Sequence, residues 1–134
     1  MALRWYTVVV DCHNVASLGR WWARALEWQI VFEADDELVI IPGWVDPDTL
    51  DHTSWERRGP GMVFVTVPET KTVKNRLHID LAPHTTQDRE AEITRLIDLG
   101  ARRADVGQDE LSATWTVLTD PEGNEFCVLS SREQ

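Results

Sequence analysis

The order of the predicted elements repeats once along the chain, and this repeat constrains the fold more than any other feature of the sequence. We predict strands where β-branched and apolar residues run together or alternate, and helices where apolar residues recur every three to four positions. The first half yields a strand, a helix and three further strands, at 6–11, 15–28, 29–33, 38–42 and 62–67. The second half yields the same order. Its four predicted strands are at 74–81, 101–106, 113–119 and 125–130, and its helix lies between the first and the second of them.

The predicted helix starts have matching offsets in the two halves. Thr7 precedes Asn14, the predicted N-cap of the first helix, by seven residues, and His78 precedes Thr85 by seven. Thr85, or Thr86 after it, is expected to cap the second helix, because a short hydroxyl side chain can accept a hydrogen bond from a free helical N–H. Equal spacing of a strand and a cap in both halves supports a structural repeat.

The repeat predicts an α+β fold made of two βαβββ modules in a pseudo-two-fold arrangement. Residues 1–134 are expected to form a single domain, with modules at about 1–68 and 74–134 and a linker at 69–73. Gly100 is expected to end the second helix. The first strand is nearly continuous in β-branched residues, so it is expected to be buried on both faces.

Charged and aliphatic residues alternate along the strand predicted at 74–81, which gives it two unlike faces. One face carries Arg76, His78 and Asp80, and the other carries Leu77, Ile79 and Leu81. The aliphatic face is expected to cover the second helix. Three ionisable groups on the opposite face need water, each other or a ligand, because burying them unpaired is costly. This face is therefore the first candidate for a functional site.

More than one role suits the charged side chains of this strand. His78 with Asp80 is suited to act as a base that removes a proton next to a carbonyl, or as a polar support inside a binding cavity. Arg76 is suited to hold a carboxylate or phosphate, or to pair with Asp80, Glu69 or Glu125. The residues themselves leave these alternatives open.

Residues from other strands are expected to join this face. Cys127 is expected beside it, as a small buried thiol rather than a nucleophile. Trp115, on a late strand, is a candidate for lining a pocket, as are Trp44 and Trp55 in the long 42–61 loop. The sequence from Asp120 to Asn124, with Pro and Gly between them, is interpreted as a turn.

The charge balance and the apolar runs exclude several classes of partner. Thirteen basic and twenty-three acidic residues give a net charge of −10, which disfavours nucleic acid and is compatible with a cationic ligand, although solubility is the simpler interpretation. No run is long enough to span a bilayer, and the apolar run at 7–10 is too short for a signal peptide. We expect a cytoplasmic protein without a membrane partner, with Cys12 and Cys127 reduced.

Three parts of the sequence are similar to the opening, centre and end of a known type of domain. The stretches at 10–12 with 18–26, at 67–69 with 71–81, and at 118–129 resemble the glyoxalase-like members of the vicinal oxygen chelate superfamily. That superfamily includes glyoxalase I, extradiol dioxygenases and bleomycin-resistance proteins. The resemblance implies curved mixed sheets around a cavity, with helices outside and a small-molecule ligand inside. It also implies a homodimer.

The resemblance also implies four positions for metal ligands, on the first and last strand of each half. Carried over to this sequence, they are Thr7, about Val65, His78 and Cys127. Thr7 and Val65 are poor ligands, and two remaining donors are too few for a catalytic metal. We therefore expect no resident metal, and His78 and Cys127 as ligands if a divalent metal binds.

Three classes of function are compatible with these observations. The first is a small-molecule-binding protein of the drug-resistance type, which performs no chemistry. The second is a metal-dependent lyase, isomerase or dioxygenase, and the third a metal-free enzyme that uses His78 and Asp80. The loss of two ligand positions favours the first or third class, and nothing in the sequence separates these two. The predicted ligand-binding residues are Arg76, His78, Trp115, Cys127 and Thr7.

Overall fold

The computed structural model describes residues 3–104 and 115–133, which belong to two units at 1–70 and 71–134. The boundary between the units falls inside the predicted linker, 69–73. As far as it is described, each unit consists of one α-helix and one four-stranded mixed sheet, so the predicted α+β fold is confirmed. That the two units make one domain stays a prediction.

The first unit has the predicted order of strand, helix and three strands. Its elements are β1 (Thr7–Cys12), α1 (Val15–Leu26), β2 (Gln29–Glu33), β3 (Glu37–Ile41) and β4 (Gly61–Thr66). The strands lie in the order β1-β4-β3-β2, with β1 parallel to β4 and the other neighbours antiparallel. A parallel pair needs a long crossover, and α1 lies within the one that separates β1 from β4. Between β3 and β4 are two short 3₁₀ turns, at Pro47–His52 and Trp55–Arg57.

Local chemistry sets both ends of α1. The side chain of Asn14 accepts a hydrogen bond from the backbone N–H of Ser17 at 3.0 Å, so the predicted cap is confirmed. The helix ends at Leu26 rather than at Trp28, because Glu27 adopts the left-handed backbone conformation with φ of 57°. The neighbouring strand, β2, has the predicted bounds.

The apolar side of α1 and one face of the first sheet form the core of this unit. The largest buried side chains there are Leu18, Trp21 and Trp22 on the helix and Leu38, Ile40, Met62 and Phe64 on the sheet. A Cβ atom at Gly19 would lie 2.5 Å from Cδ2 of Leu38, so glycine at this position lets the helix approach the sheet closely.

The second unit repeats the topology of the first. Its described elements are β5 (Ile79–Leu81), α2 (Arg89–Leu99), β6 (Arg102–Arg103), β7 (Trp115–Thr119) and β8 (Glu125–Leu129). The strand order is β5-β8-β7-β6, with β5 parallel to β8 and the other neighbours antiparallel. The predicted strands at 101–106 and 113–119 each lie partly outside the described residues.

The start of α2 is tied to the second sheet by an arginine. The guanidinium of Arg89 donates to Oγ1 of Thr116 at 2.8 Å and to the carbonyl oxygens of Val128 and Leu129 at 2.9 and 3.0 Å. These bonds identify the face of the sheet that carries Thr116 as the face towards α2. The other face of the sheet, which carries Cys127, therefore points away from the helix.

Two predictions for the second unit are wrong. The hydrogen bonds that decide where its helix and its first strand begin cannot be inferred from the periodicity of apolar residues. The cap of α2 is Asp88, whose carboxylate accepts from Glu90 N and Ala91 N, rather than Thr85 or Thr86. The strand predicted at 74–81 is only Ile79–Leu81, the stretch that pairs with β8. Leu77 precedes it and is 88% exposed, so it does not cover α2.

One expectation for the first unit is also wrong, and two predictions of local structure in the second unit are confirmed. Val9 on β1 is 57% exposed, because α1 covers only one face of its sheet. Gly100 ends α2 with φ of 128°, as predicted. The predicted turn is confirmed: Asp120 Oδ1 accepts from the backbone N–H groups of Glu122 and Asn124.

Neither helix in the described part of the chain has the length and apolarity needed to cross a membrane.

Candidate functional site

The candidate site is the face of the second sheet that points away from α2. The strand register places Asp80 of β5 directly opposite Cys127 of β8, with Val117 of β7 on the other side of the cysteine. The Nδ1 atom of His78 lies 4.0 Å from Sγ of Cys127, which is within hydrogen-bonding reach for sulfur. Three of the predicted site residues, His78, Asp80 and Cys127, thus come together, and we call them the His78 cluster.

The surroundings of Cys127 keep its thiol protonated at neutral pH. The side chain is 5% exposed. Burial raises its pKa, the charge of Asp80 and a hydrogen bond to Asp80 raise it further, and the charge of Lys74 lowers it in part. A thiol is a much weaker nucleophile and metal ligand than a thiolate. Cys127 is therefore a buried neutral group, and the polar chemistry of this face belongs to His78 and Asp80.

The other predicted ligand-binding residues are not part of the His78 cluster. Trp115 is paired with Leu129, two residues beyond Cys127 on β8, so it shares the face of the cluster about 7 Å away along the strand. Its side chain is 42% exposed and presents a flat aromatic surface. Arg76 is exposed, on the segment that leads into β5. Thr7 belongs to the first unit, where its Cα is paired with Gly61.

The partly buried carboxylate of Glu125, which the sequence suggested as a partner for Arg76, attaches this segment to β8. Glu125 accepts from Nζ of Lys71 at 3.1 Å and from the backbone N–H of Asn75 at 3.0 Å. Nδ2 of Asn75 donates to the backbone oxygen of Glu125 at 3.2 Å. We call these three residues the Glu125 cluster. The signal in the sequence is weak, because Lys71 and Asn75 lie 54 and 50 positions from Glu125.

The pKa of Glu125 reflects opposing effects. Burial raises it, whereas hydrogen bonds from backbone N–H groups and the hydrogen bond and charge of Lys71 lower it, and the net pKa lies below the ordinary value for glutamate. The carboxylate is therefore ionised at neutral pH and able to hold Lys71 and Asn75 together.

The corresponding face of the first sheet carries an apolar row whose exposure was not expected from the sequence. The register aligns Val9, Val63, Val39 and Phe32 in one row across all four strands. Val9 and Phe32 at the two ends of the row are more than half exposed. The polar candidate residues of the described chain are thus concentrated on the second sheet.

The sequence model of the glyoxalase-like domain family matches residues 7–129, a range that takes in both helices and both sheets. The chain belongs to this family. Similarity to the glyoxalase-like proteins, expected from the three stretches of sequence, is therefore confirmed. No curated protein is similar enough to the chain to count as a match.

Solved structures agree with the fold of this glyoxalase-like domain. A glyoxalase/bleomycin resistance protein/dioxygenase family enzyme from Burkholderia phytofirmans PsJN superposes with a TM-score of 0.68 at 13% identity, covering 97% of this chain and 100% of that one. A mutant of the fosfomycin resistance protein FosX from Listeria monocytogenes, complexed with Mn(II) and 1S,2S-dihydroxypropylphosphonic acid, gives 0.66 at 7% identity, with 95% and 89% coverage. A bleomycin-binding protein complexed with bleomycin gives 0.56 at 14%, with 94% and 97% coverage. At such identities the likeness concerns the fold alone.

The register of this glyoxalase-like domain corrects one of the positions considered for metal ligands. His78 lies two residues before Asp80, the strand partner of Cys127. Thr7 is the counterpart of His78 in the first unit, and it lies two residues before Val9, whose strand partner is Val63. Val63, rather than Val65, is therefore the counterpart of Cys127.

The donor atoms at these four positions do not fit a chelated metal ion. A threonine and a valine stand in the first unit, and in the second a neutral thiol accompanies His78. Among the described residues, no group of three or more His, Cys, Asp or Glu side chains is arranged to hold a metal. We therefore derive no chemical step through a metal ion.

Proposed function

We propose that this glyoxalase-like domain binds a small organic molecule in the cavity of its curved sheet, against His78, Asp80 and Trp115. The observation that carries the proposal is the polar face of the second sheet, where an exposed imidazole just before β5, a carboxylate on β5 and a half-exposed indole on β7 lie on the two sides of β8. Ligand sites of this size combine flat apolar surface with a few polar groups that fix orientation.

The chemistry of this face favours binding without a metal. The thiol of Cys127 is neutral, and the counterpart positions in the first unit, Thr7 and Val63, bring no strong donor. The carboxylate of Asp80 and a net charge of −10 attract a cationic ligand, and the indole of Trp115 offers a surface for a planar one. We therefore infer a planar or cationic organic ligand.

Isothermal titration calorimetry in the presence of EDTA tests this proposal. Metal-free bleomycin is the first probe, because the bleomycin-binding protein that shares the fold is complexed with it, and a panel of planar organic cations follows. We expect binding by the wild-type protein and about tenfold weaker binding by His78→Ala, a loss of about 1.4 kcal/mol. The matched control is His84→Ala, which removes an exposed histidine of the same unit whose Nδ1 contacts Thr86. Equal affinities in wild type and His78→Ala, or no binding across the panel, would contradict the proposal.

A second candidate function is proton abstraction by His78 from a carbon next to a carbonyl. It is favoured by the exposed position of His78, two residues before Asp80, because a general base has to reach the proton that it removes from a bound substrate. Deuterium exchange into dihydroxyacetone in D₂O, followed by proton NMR, tests it. Exchange catalysed by the wild type and by His84→Ala but abolished in His78→Gln supports this function, and equal rates in all three proteins exclude it.

A further inference from the structure

The segment at 71–78 depends on side chains for its position. It has neither helical nor strand pairing in the described structure, and β5 begins at the residue that follows it. Yet it carries Lys74, whose charge acts on the thiol of Cys127, and His78, whose Nδ1 lies 4.0 Å from Sγ of Cys127. An exposed segment without a backbone ladder opens easily unless other contacts hold it.

The Glu125 cluster supplies such contacts. Both oxygens of the Glu125 carboxylate are used, one by Nζ of Lys71 and one by the backbone N–H of Asn75. Lys71 also donates to the carbonyl oxygen of Val73, within the same segment. The segment is thereby bonded to β8 at two points on either side of Lys74.

Burial makes this arrangement stronger than an ordinary surface ion pair. The side chains of Glu125 and Lys71 are 12% and 23% exposed, so solvent screens their interaction only in part. Exposed ion pairs contribute little to stability because water and salt screen them, whereas hydrogen bonds to a charged group are among the stronger hydrogen bonds in proteins. The Glu125 carboxylate is thus a firm attachment point.

The attachment point lies next to the His78 cluster. Glu125 is two residues before Cys127 on β8 and shares its face, so the two side chains are about 7 Å apart along the strand. Asn75 is three residues before His78, a stretch of chain that spans at most about 11 Å. Holding Asn75 on Glu125 therefore restricts where the imidazole of His78 can lie relative to the sulfur.

We propose that Glu125 is a positioning residue that fastens the 71–78 segment to β8 and so fixes His78 beside Cys127. Its role in ligand binding rests on the proposed function, since a fixed imidazole lowers the entropic cost of binding. Its role in placing His78 does not, because that geometry exists without a ligand.

NMR of the full chain without ligand tests the positioning role. The variants are Glu125→Ala, which removes both interactions of the carboxylate, Glu125→Gln, which keeps one acceptor, and Lys71→Met, which removes the ion pair together with the bond from Nζ to the carbonyl oxygen of Val73. The control is Glu90→Gln, the same change at a largely exposed glutamate of the same unit. Two signals are followed: amide exchange at Asn75 and the imidazole resonances of His78.

We expect amide exchange at Asn75 to become at least about tenfold faster in Glu125→Ala and less so in Glu125→Gln, with a parallel change in the His78 resonances. Lys71→Met should move the same signals in the same direction. The internal references in the same unit, the amide of Val128 and the imidazole of His84, should not change. Glu90→Gln should leave every signal at its wild-type value.

Two outcomes would overturn the proposal. One is an unchanged His78 resonance in Glu125→Ala, which would mean that the carboxylate does not place the imidazole. The other is an equal acceleration of exchange at Asn75 and Val128, which would mean that Glu125 serves only the stability of the sheet. Bleomycin affinity, measured separately, distinguishes this proposal from the proposed function. If the His78 signals shift in Glu125→Ala but neither the wild type nor any variant binds bleomycin, the positioning role stands and the proposed binding function is contradicted.

Discussion

The Sγ atom of Cys127 and the Nδ1 atom of His78 lie 4.0 Å apart, although 49 positions separate the two residues in the chain. The parallel pairing of β5 with β8 brings them together, because it sets Asp80 opposite Cys127 and leaves His78 one pleat earlier. A buried neutral thiol thus lies beside an exposed imidazole and a carboxylate. The properties of this face can be tested one group at a time.

Replacing Asp80 by Asn should make Cys127 more reactive. After burial, the charge of Asp80 and its hydrogen bond are the causes that raise the pKa of the thiol, so removing the charge lowers that pKa and increases the thiolate fraction. We expect alkylation of Cys127 by iodoacetamide at pH 8 to become about two- to fivefold faster, as measured by mass spectrometry of the cysteine peptide. Asp98→Asn, at an exposed position on α2, is the control. A slower or unchanged rate in Asp80→Asn would show that the charge does not act on the thiol.

Glu125 should contribute to stability at neutral pH and lose this contribution in acid. Its pKa is lowered in the folded protein, so its stabilisation is present above the unfolded pKa of about 4.3 and disappears as the pH falls through the folded pKa. Glu125→Gln should therefore reduce the free energy of unfolding by about 1–3 kcal/mol at pH 7, and by progressively less below about pH 4. Urea unfolding of both proteins at several pH values measures the difference. A difference that is constant with pH would argue against an ionised Glu125 in the folded state.

Removing the carboxylate of Asp120 should destabilise the second unit. This buried side chain accepts hydrogen bonds from Glu122 N, from Asn124 N and from Nδ2 of Asn124, all at 2.9–3.0 Å. Asp120→Ala leaves these donors without their acceptor, and we expect a loss of about 2–4 kcal/mol in urea unfolding. Asp35→Ala, in the exposed turn between β2 and β3, should cost less than about 0.5 kcal/mol. Equal losses of unfolding free energy in the two variants would contradict a stabilising role for the hydrogen bonds of Asp120.

The purified protein should hold no stoichiometric metal. The four positions considered for ligands are Thr7, Val63, His78 and Cys127, a set with one standard donor and one protonated thiol. Elemental analysis of protein prepared without chelators should find less than about 0.1 equivalent of zinc, manganese or iron per chain. One full equivalent that is lost in His78→Ala would contradict this expectation.

The chain should form a homodimer in solution. Trp44 and Trp55 are exposed on the loop between β3 and β4, and exposed tryptophans are enriched in protein interfaces. Static light scattering at micromolar concentration should give twice the chain mass of 15.3 kDa. A mass equal to that of one chain would rule the dimer out.

The sequence by itself determined the features that a few neighbouring residues control. The repeated element order, the Asn14 cap, the end of α2 at Gly100 and the turn from Asp120 to Asn124 follow from periodicity, side-chain acceptors and backbone preferences. The nearness of His78 to Asp80 also follows from their spacing of two residues in the sequence. These features need no knowledge of what lies across the sheet.

Only the tertiary structure decided the features that join distant parts of the chain. The true start of β5 at Ile79, the shift of a counterpart position from Val65 to Val63, and the Glu125 cluster all depend on strand register or on side chains about 50 positions apart. Local patterns cannot specify them, because the energy of such contacts comes from a partner whose place is set by the folding of the whole sheet. The exposure of Val9 also depends on the tertiary structure. The residues around Val9 favour a strand, but the position of α1 decides which face of that strand is covered.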